Sequence, residues 1–177
     1  MTSYVALLRG INVGGRTVKM DQLRAIAQEC GFATVSTFIQ SGNVIFTSRK
    51  GAAKVATELH DAVLAATGID SRVVVRSAAQ LANVVRDNPF GDRVADPTKV
   101  SVSFLFEPVR ATLDAVDPSE YAPDEVVVRG AHAYLSTPNG MGKSKLVEPV
   151  IKRLGIPGTV RNWRTVTKLA ELAARPD

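Results

Sequence analysis

The sequence predicts an α+β fold made of two tandem halves, each with the element order βαββαβ and each followed by a helix. Apolar runs typical of strands alternate with segments whose apolar residues recur at helical spacing, and this order occurs twice along the 177 residues. Two similar stretches, VVVRSAAQLANVV and TVRNWRTVTKLAELA, follow at corresponding points of the two halves. The order is the split βαβ plan of ferredoxin-like folds.

The first half contains the clearer signals. Gly31 ends a helical apolar pattern, and Ser41-Gly42-Asn43 separates two β-rich runs as a hairpin turn does. The predicted elements are a strand over 3–9, a helix over 20–30, strands over 34–40 and 44–48, a helix over 52–67, a strand over 72–76 and a helix over 78–87.

The second half repeats this order with shorter patterns. Its predicted elements are a strand over 99–106, a helix over 109–116, hairpin strands over 125–129 and 133–136, a helix over 143–154, a strand over 158–161 and a helix over 163–174. Pro89, Gly91 and Pro97 indicate a linker. The predicted subdomains are therefore residues 1–88 and 98–177, joined by 89–97.

The composition excludes several classes of protein. Cys30 is the single cysteine, so the chain can form neither an intramolecular disulfide nor a cysteine-based zinc site. No run approaches the ~20 apolar residues of a membrane span. We therefore expect a cytoplasmic protein with no metal, no cofactor and no membrane partner, and the oligomeric state stays open.

The net charge of +5 is unevenly distributed. Residues 1–76 carry nine Lys and Arg against five Asp and Glu, and residues 143–177 carry eight against three. Residues 77–142 carry five against nine. If the two basic ends meet in space, they form a face suited to nucleic acid or to a phosphorylated small molecule. An ordinary soluble surface with a mild basic excess explains the same counts equally well.

The segment LLRGINVGG at residues 7–15 is the leading candidate site. A buried apolar strand ends here in glycines, which can turn through positive φ and expose their N–H groups. Such a turn suits an anion, and six residues are predicted to bind it: Arg9, Asn12, Gly14, Gly15, Arg16 and Lys19. Alternatively, the glycines serve only a sharp turn between a strand and a helix.

Three other segments add candidate ligand-binding residues. They are Gln40, Ser41 and Asn43 at the hairpin tip, Lys143 in PNGMGKSK, and Arg161, Asn162 and Trp163 before the last helix. Turn chemistry alone also explains the tip. The GKS of PNGMGKSK matches the end of a Walker A loop, but Thr137 replaces the first required glycine. Trp163 shares a helical face with Val166, which favours a core position, and Asn162 or Thr165 could cap the helix.

Four segments carry a resemblance to a known family: LLRGINVGG, KMDQL, IQSGNVIF and RNWRTVTKL. Together they resemble domain-of-unknown-function family 1697, a set of small bacterial proteins with no established activity. The resemblance implies two ferredoxin-like subdomains and no particular reaction. The chain departs from the family pattern at Arg164, where the family usually carries Asn.

The hypothesis that best fits these features is a binding protein for a phosphate-bearing ligand or a nucleic-acid backbone. A second hypothesis is an enzyme acting on a phosphorylated small molecule, with Lys143 and Arg161 as charge stabilisers. A third is a protein-interaction module whose glycines are purely structural. The sequence contains no catalytic constellation, so it leaves open whether the protein is an enzyme.

Overall fold

The computed structural model describes residues 1–110 and 117–175 as two compact units with two four-stranded antiparallel sheets and five helices. Unit 1 comprises Met1–Asn83 and Lys168–Asp177, and unit 2 comprises Val84–Thr167. The protein is therefore a mixed α+β protein, as predicted.

Unit 1 contains the first sheet and the helices of the first half. Its strands are β1 (Thr2–Leu8), β2 (Ala33–Phe38), β3 (Asn43–Ser48) and β4 (Val73–Ser77), in the order β2-β3-β1-β4. Its helices are α1 (Met20–Glu29), α2 (Ala52–Thr67) and the first part of α3 (Ala78–Arg86).

Unit 2 contains the second sheet. Its strands are β5 (Val100–Leu105), β6 (Glu125–Arg129), β7 (His132–Ser136) and β8 (Gly158–Asn162), in the order β6-β7-β5-β8. It includes α4 (Val147–Leu154), and the boundary between the units falls within α5 (Trp163–Ala174). Short 3-10 turns cover Gly91–Arg93, Pro118–Tyr121 and Met141–Lys143.

The two sheets share their register as well as their strand order. In the first sheet Val5 is paired with Ile45 on β3 and with Arg76 on β4. In the second sheet Val102 is paired with Tyr134 on β7 and with Arg161 on β8. The two arginines therefore occupy equivalent positions, and burial lowers the pKa of each, that of Arg161 to about 10.

The core of unit 1 explains why its strands are so apolar. One face of the sheet, carrying Ala6, Leu8 and Phe46, packs against the apolar stripes of α1 and α2. On the other face Ser3 donates to the carbonyl of Ala173 in α5 at 2.7 Å. Every residue of β3 is buried, so this strand lacks the alternation of a sheet with one solvated face.

The second sheet has its own core beneath α4. Leu105 and Ala133 on the sheet pack with Leu146, Val150 and Leu154. On the opposite face the buried Tyr134 hydroxyl donates to the carbonyl of Val84 at 3.1 Å. The polar group of Tyr134, the largest of the fully buried side chains, thus has a hydrogen-bond partner.

The predicted helix over 143–154 is wrong at its start, because α4 begins only at Val147. Pro149 has no N–H and its ring collides with the preceding turn inside a helix, so it fits only in the first turn. A helix that began at Lys143 would place Pro149 in its interior. The predicted helix over 109–116 falls largely on residues 111–116, which lie outside the described part of the chain.

Candidate functional site

Residues 9–19, here called the basic loop, leave the C-terminal end of β1 with their main chain fixed. The Arg9 N–H donates to the carbonyl of Arg72 at 3.0 Å. The buried Ser71 hydroxyl donates to the carbonyl of Arg9 at 2.9 Å. Both partners precede β4, so the loop is anchored where it leaves the sheet.

The Asn12 side chain forms hydrogen bonds both to the β2–β3 hairpin and within the basic loop. Its Nδ2 donates to the carbonyl of Gln40 at 2.6 Å, and its Oδ1 accepts from the Val18 N–H at 2.8 Å. Asn12 has φ +56°, a region that asparagine tolerates better than most residues. Ile11 and Val18, which precede and follow this part of the loop, are both buried, so apolar packing also holds the loop in place. Asn12 thus positions the loop from within.

The outer part of the loop is a tight turn over Val13–Arg16. The Arg16 N–H donates to the carbonyl of Val13 at 3.1 Å, and the Asn12 N–H donates to the carbonyl of Arg16 at 2.5 Å. Gly14 and Gly15 have φ of +56° and +82°, as a type I′ turn requires at its two central positions. The predicted use of positive φ by these glycines is confirmed.

The tip of the β2–β3 hairpin, residues 39–42, lies at the same end of the sheet as the basic loop. Two carbonyls of the tip accept hydrogen bonds, that of Gln40 from Asn12 Nδ2 at 2.6 Å and that of Gly42 from the Leu8 N–H at 2.9 Å. The carbonyl of Phe38, at the end of β2, accepts from Asn43 Nδ2 at 2.9 Å. Because one of these bonds comes from the basic loop, the two turns form one connected surface.

The cations of this surface are available to a ligand. Arg9, Arg16 and Lys19 are exposed, and none forms an ion pair within residues 1–110 and 117–175. Arg16 Nη1 lies 3.9 Å from the point that a Cβ on Gly10 would occupy, so this guanidinium folds back over the start of the loop. The basic loop itself contains no acidic residue.

The acidic residue before β4, Asp70, is turned towards α2. Its carboxylate lies 2.8 Å from His60 Nε2, and Asp61 lies 2.9 Å from His60 Nδ1. These hydrogen bonds, first that to Asp70 and then that to Asp61, raise the pKa of His60 above its ordinary value of 6.5. Asp70 is therefore engaged with a histidine that is protonated over a wider pH range than usual.

We expect Asp70→Asn to lower the pKa of His60, which NMR titration of the imidazole measures directly. A folded-state pKa above the unfolded value stabilises the protein below the unfolded pKa, and this contribution disappears as the pH rises through the folded pKa. Asp70→Asn should therefore cost less than about 1 kcal/mol in mild acid and nothing at high pH. An unchanged titration curve would exclude Asp70 as the main cause of the shift.

In unit 2 the segment PNGMGKSK after β7 forms main-chain hydrogen bonds among its own residues and with Thr137. The Gly140 N–H donates to the carbonyl of Thr137 at 2.8 Å, and the Lys143 N–H donates to that of Gly140 at 3.0 Å. The Ser144 N–H donates to Met141 at 3.2 Å. These main-chain donors are thus used within the loop, unlike those of a phosphate-cradling Walker A loop. Lys143 remains an exposed cation beside them.

The three residues before and at the start of α5 that the sequence predicts as one binding group have different surroundings in the structure. Arg161 is buried, and its Nη1 donates to Thr159 Oγ1 at 2.8 Å and to the carbonyl of Val160 at 2.9 Å. Trp163 is buried as well. Asn162 is exposed, and its Oδ1 accepts from the Thr165 N–H at 2.9 Å. Asn162 is therefore the helix cap, one of the two alternatives.

The predicted site residues form two groups, one in each unit. Those of unit 1 gather where β1 ends: Arg9, Asn12, Gly14, Gly15, Arg16, Lys19, Gln40, Ser41 and Asn43. Those of unit 2 lie towards the end of the second sheet where β5 begins: Lys143, Arg161, Asn162 and Trp163. In the first group Asn43 is fully buried, and its amide donates to Phe38 and to Ser41.

The described residues show neither a metal-binding cluster nor a membrane-spanning helix. They contain no group of three or more His, Cys, Asp and Glu side chains that could hold a metal ion. None of their helices is long and apolar enough to cross a membrane.

Comparison with known proteins identifies the family. Residues 1–134 match the family described as "Protein of unknown function (DUF1697)". The chain belongs to this family. The match includes the basic loop and the hairpin tip, so the site of unit 1 lies within the part that defines DUF1697. The RNWRTVTKL segment at 161–169 lies beyond it.

A solved structure shows the same fold as this DUF1697 member. It is the structure of the conserved bacterial protein SP0830 from Streptococcus pneumoniae, with 21% sequence identity and a TM-score of 0.73 over 99% of both chains. At this level of identity the likeness concerns the fold alone. No curated protein matches the chain.

Sequence reasoning missed three residues that shape the site. Gly42 is buried under Ile11, and a Cβ there would lie 2.5 Å from Ile11 Cδ1. Ser71 binds the Arg9 carbonyl from 62 residues away. Gly42 was recognised only as a turn residue, and nothing in the local sequence marks Ser71 or Ile11, because their partners are distant in the chain.

Proposed function

We propose that the protein binds a phosphate-bearing ligand on the basic loop, with the phosphate backbone of a nucleic acid as the first candidate. The observation that carries this proposal is the presence of three exposed cations that form no ion pair with any residue the structure describes, on a loop whose main chain is anchored. Arg9 and Arg16 supply planar donors that suit phosphate oxygens, and Lys19 adds a compact charge.

The anchoring of the loop supports a binding role for it. A loop that is ordered before the ligand arrives avoids much of the entropic cost of ordering on binding. Here that order comes from the hydrogen bonds of Asn12, Ser71 and the Val13–Arg16 turn. These bonds involve main-chain atoms of Arg9 and Arg16 and leave the charged side chains of all three cations unused. Several exposed cations along one loop suit a ligand with a repeated array of phosphates, because each phosphate contact adds its own electrostatic contribution.

The double variant Arg9→Ala/Arg16→Ala tests the proposal. We expect it to weaken binding of a labelled oligonucleotide by about 30- to 100-fold at low salt, because each lost phosphate contact removes an electrostatic contribution. The slope of log K against log salt should also flatten, by about 1.4 for a single-stranded oligonucleotide and about 1.8 for a duplex. Thermal stability should barely change, since neither side chain has an ion-pair partner in the described part of the chain.

Arg49→Ala/Lys54→Ala is the matched control. It removes the same charge from exposed positions where β3 ends and α2 begins, at the opposite end of the sheet. If this variant loses as much affinity as the loop variant, binding reflects net charge and the site is wrong. If Arg9→Ala/Arg16→Ala melts much earlier while the folded fraction binds normally, the two arginines are structural.

Three further properties are proposed with this function: the type of the two subdomains, a bacterial source and a cytoplasmic location. We infer that the two units are tandem ferredoxin-like subdomains, supported by their common strand order and common register. We also infer a bacterial cytoplasmic protein, for which the single cysteine and the fold shared with a bacterial protein are the support.

A further inference from the structure

We propose that the ligand of the basic loop is a single-stranded nucleic acid whose bases contact Val13 and Ile39. This inference rests on the proposed function and adds the part of the ligand that is not phosphate. The phosphates would lie on the three cations of the loop, and the apolar faces of unpaired bases would cover the two aliphatic side chains.

Val13 and Ile39 are two strongly exposed aliphatic residues on the surface that the basic loop and the hairpin tip form together. Val13 is 58% exposed and Ile39 is 47% exposed. Val13 belongs to the turn of the basic loop, and Ile39 belongs to the hairpin tip that Asn12 binds through Gln40. Two exposed apolar side chains therefore occur on the connected surface that carries Arg9, Arg16 and Lys19.

The backbone at Ile39 strengthens the case. Ile39 has φ +48°, a conformation that disfavours a β-branched residue. The carbonyls on both sides, of Phe38 and Gln40, are fixed by Asn43 and Asn12. These hydrogen bonds on both sides hold the tip in the conformation that exposes the Ile39 side chain. Strain combined with apolar exposure beside a binding surface is typical of functional positions.

Single-stranded nucleic acid fits this combination of features. Its bases are unpaired, so their apolar faces lie close to a chain of phosphates. A duplex stacks these faces internally, and polyphosphate has none. The basic loop and the hairpin tip contain no aromatic residue, so the apolar contact with a base on this surface falls to Val13 and Ile39.

Three labelled probes with the same number of phosphates separate the contributions of phosphate and base: an oligothymidylate, an abasic strand of the same length and a duplex of half that length. At low salt we expect the oligothymidylate to bind about tenfold more tightly than the abasic strand, which carries the same phosphates. Equal affinity for these two, or tighter binding of the duplex, overturns the base contact and leaves phosphate binding standing. No binding of any probe overturns the proposed function itself.

Ile39→Asn supplies the decisive variant. Asparagine accepts positive φ, so the midpoint of thermal unfolding should stay the same or rise. We expect about a fivefold loss of affinity for oligothymidylate and no change for the abasic strand. Ile151→Asn on α4 is the control, because Ile151 is 45% exposed, and it should change neither affinity. If Ile39→Asn lowers the affinity for the oligothymidylate and for the abasic strand by the same factor, the proposal is overturned.

Discussion

Gly42→Ala should lower the free energy of unfolding by about 3 kcal/mol or more, because the added methyl group meets both a steric clash and a left-handed backbone. Gly42 has φ +78° and is buried, and a Cβ there would lie 2.5 Å from Ile11 Cδ1, 2.8 Å from Ile11 Cγ1 and 3.1 Å from Leu8 Cβ. Because Ile11 and Leu8 are themselves buried, neither can move without displacing its own neighbours.

Gly68→Ala is the matched control for the steric part of this effect. Gly68 has φ +71° at the C-terminal cap of α2, and a Cβ there meets nothing within 4 Å. Its cost should be about 1 kcal/mol, the price of the left-handed conformation alone. Urea unfolding of both variants measures the difference. Equal losses would contradict the close packing of the hairpin tip against the basic loop.

Asn12→Ala should reduce stability by about 2–3 kcal/mol and also weaken binding of an oligonucleotide by about tenfold. The substitution removes the hydrogen bonds to Gln40 and from Val18, and it leaves alanine at φ +56°. The basic loop then loses its tie to the hairpin tip. Its cations must be ordered when the ligand binds, although Asn12 itself need not touch the ligand.

Asn12→Gly separates the two causes, because glycine accepts the positive φ but cannot form the hydrogen bonds. Its stability should exceed that of Asn12→Ala by about 1 kcal/mol, whereas its loss of affinity should be similar. Amide hydrogen exchange of residues 13–17 should report faster opening in both variants. Unchanged affinity in both, with the loop opened, would refute the importance of its order for binding.

The fold was largely predictable because its signals are local. Helical spacing and glycine stops placed α1 and α2, and apolar runs placed the strands of both sheets. The start of α4 was missed, although Pro149 is itself a local signal that restricts where a helix can begin.

The site was predictable in residue type and less so in role. The sequence singled out Asn12 and Asn43 as ligand donors, and in the folded protein their amides hydrogen-bond to Gln40, Val18, Phe38 and Ser41. An asparagine in a turn has the same local pattern whether it serves a ligand or the backbone. Only the position of its partner distinguishes the two.

By itself the sequence determined the order in which strands and helices follow one another along the chain, the positive φ of Gly14 and Gly15, and the concentration of cations after β1. Each of these depends on neighbours along the chain. The tertiary structure alone decided that the hairpin tip lies against the basic loop. That contact follows from the strand order β2-β3-β1-β4, which places β1 beside β3. Non-local strand pairing depends on the packing of the whole sheet, so no local pattern specifies it.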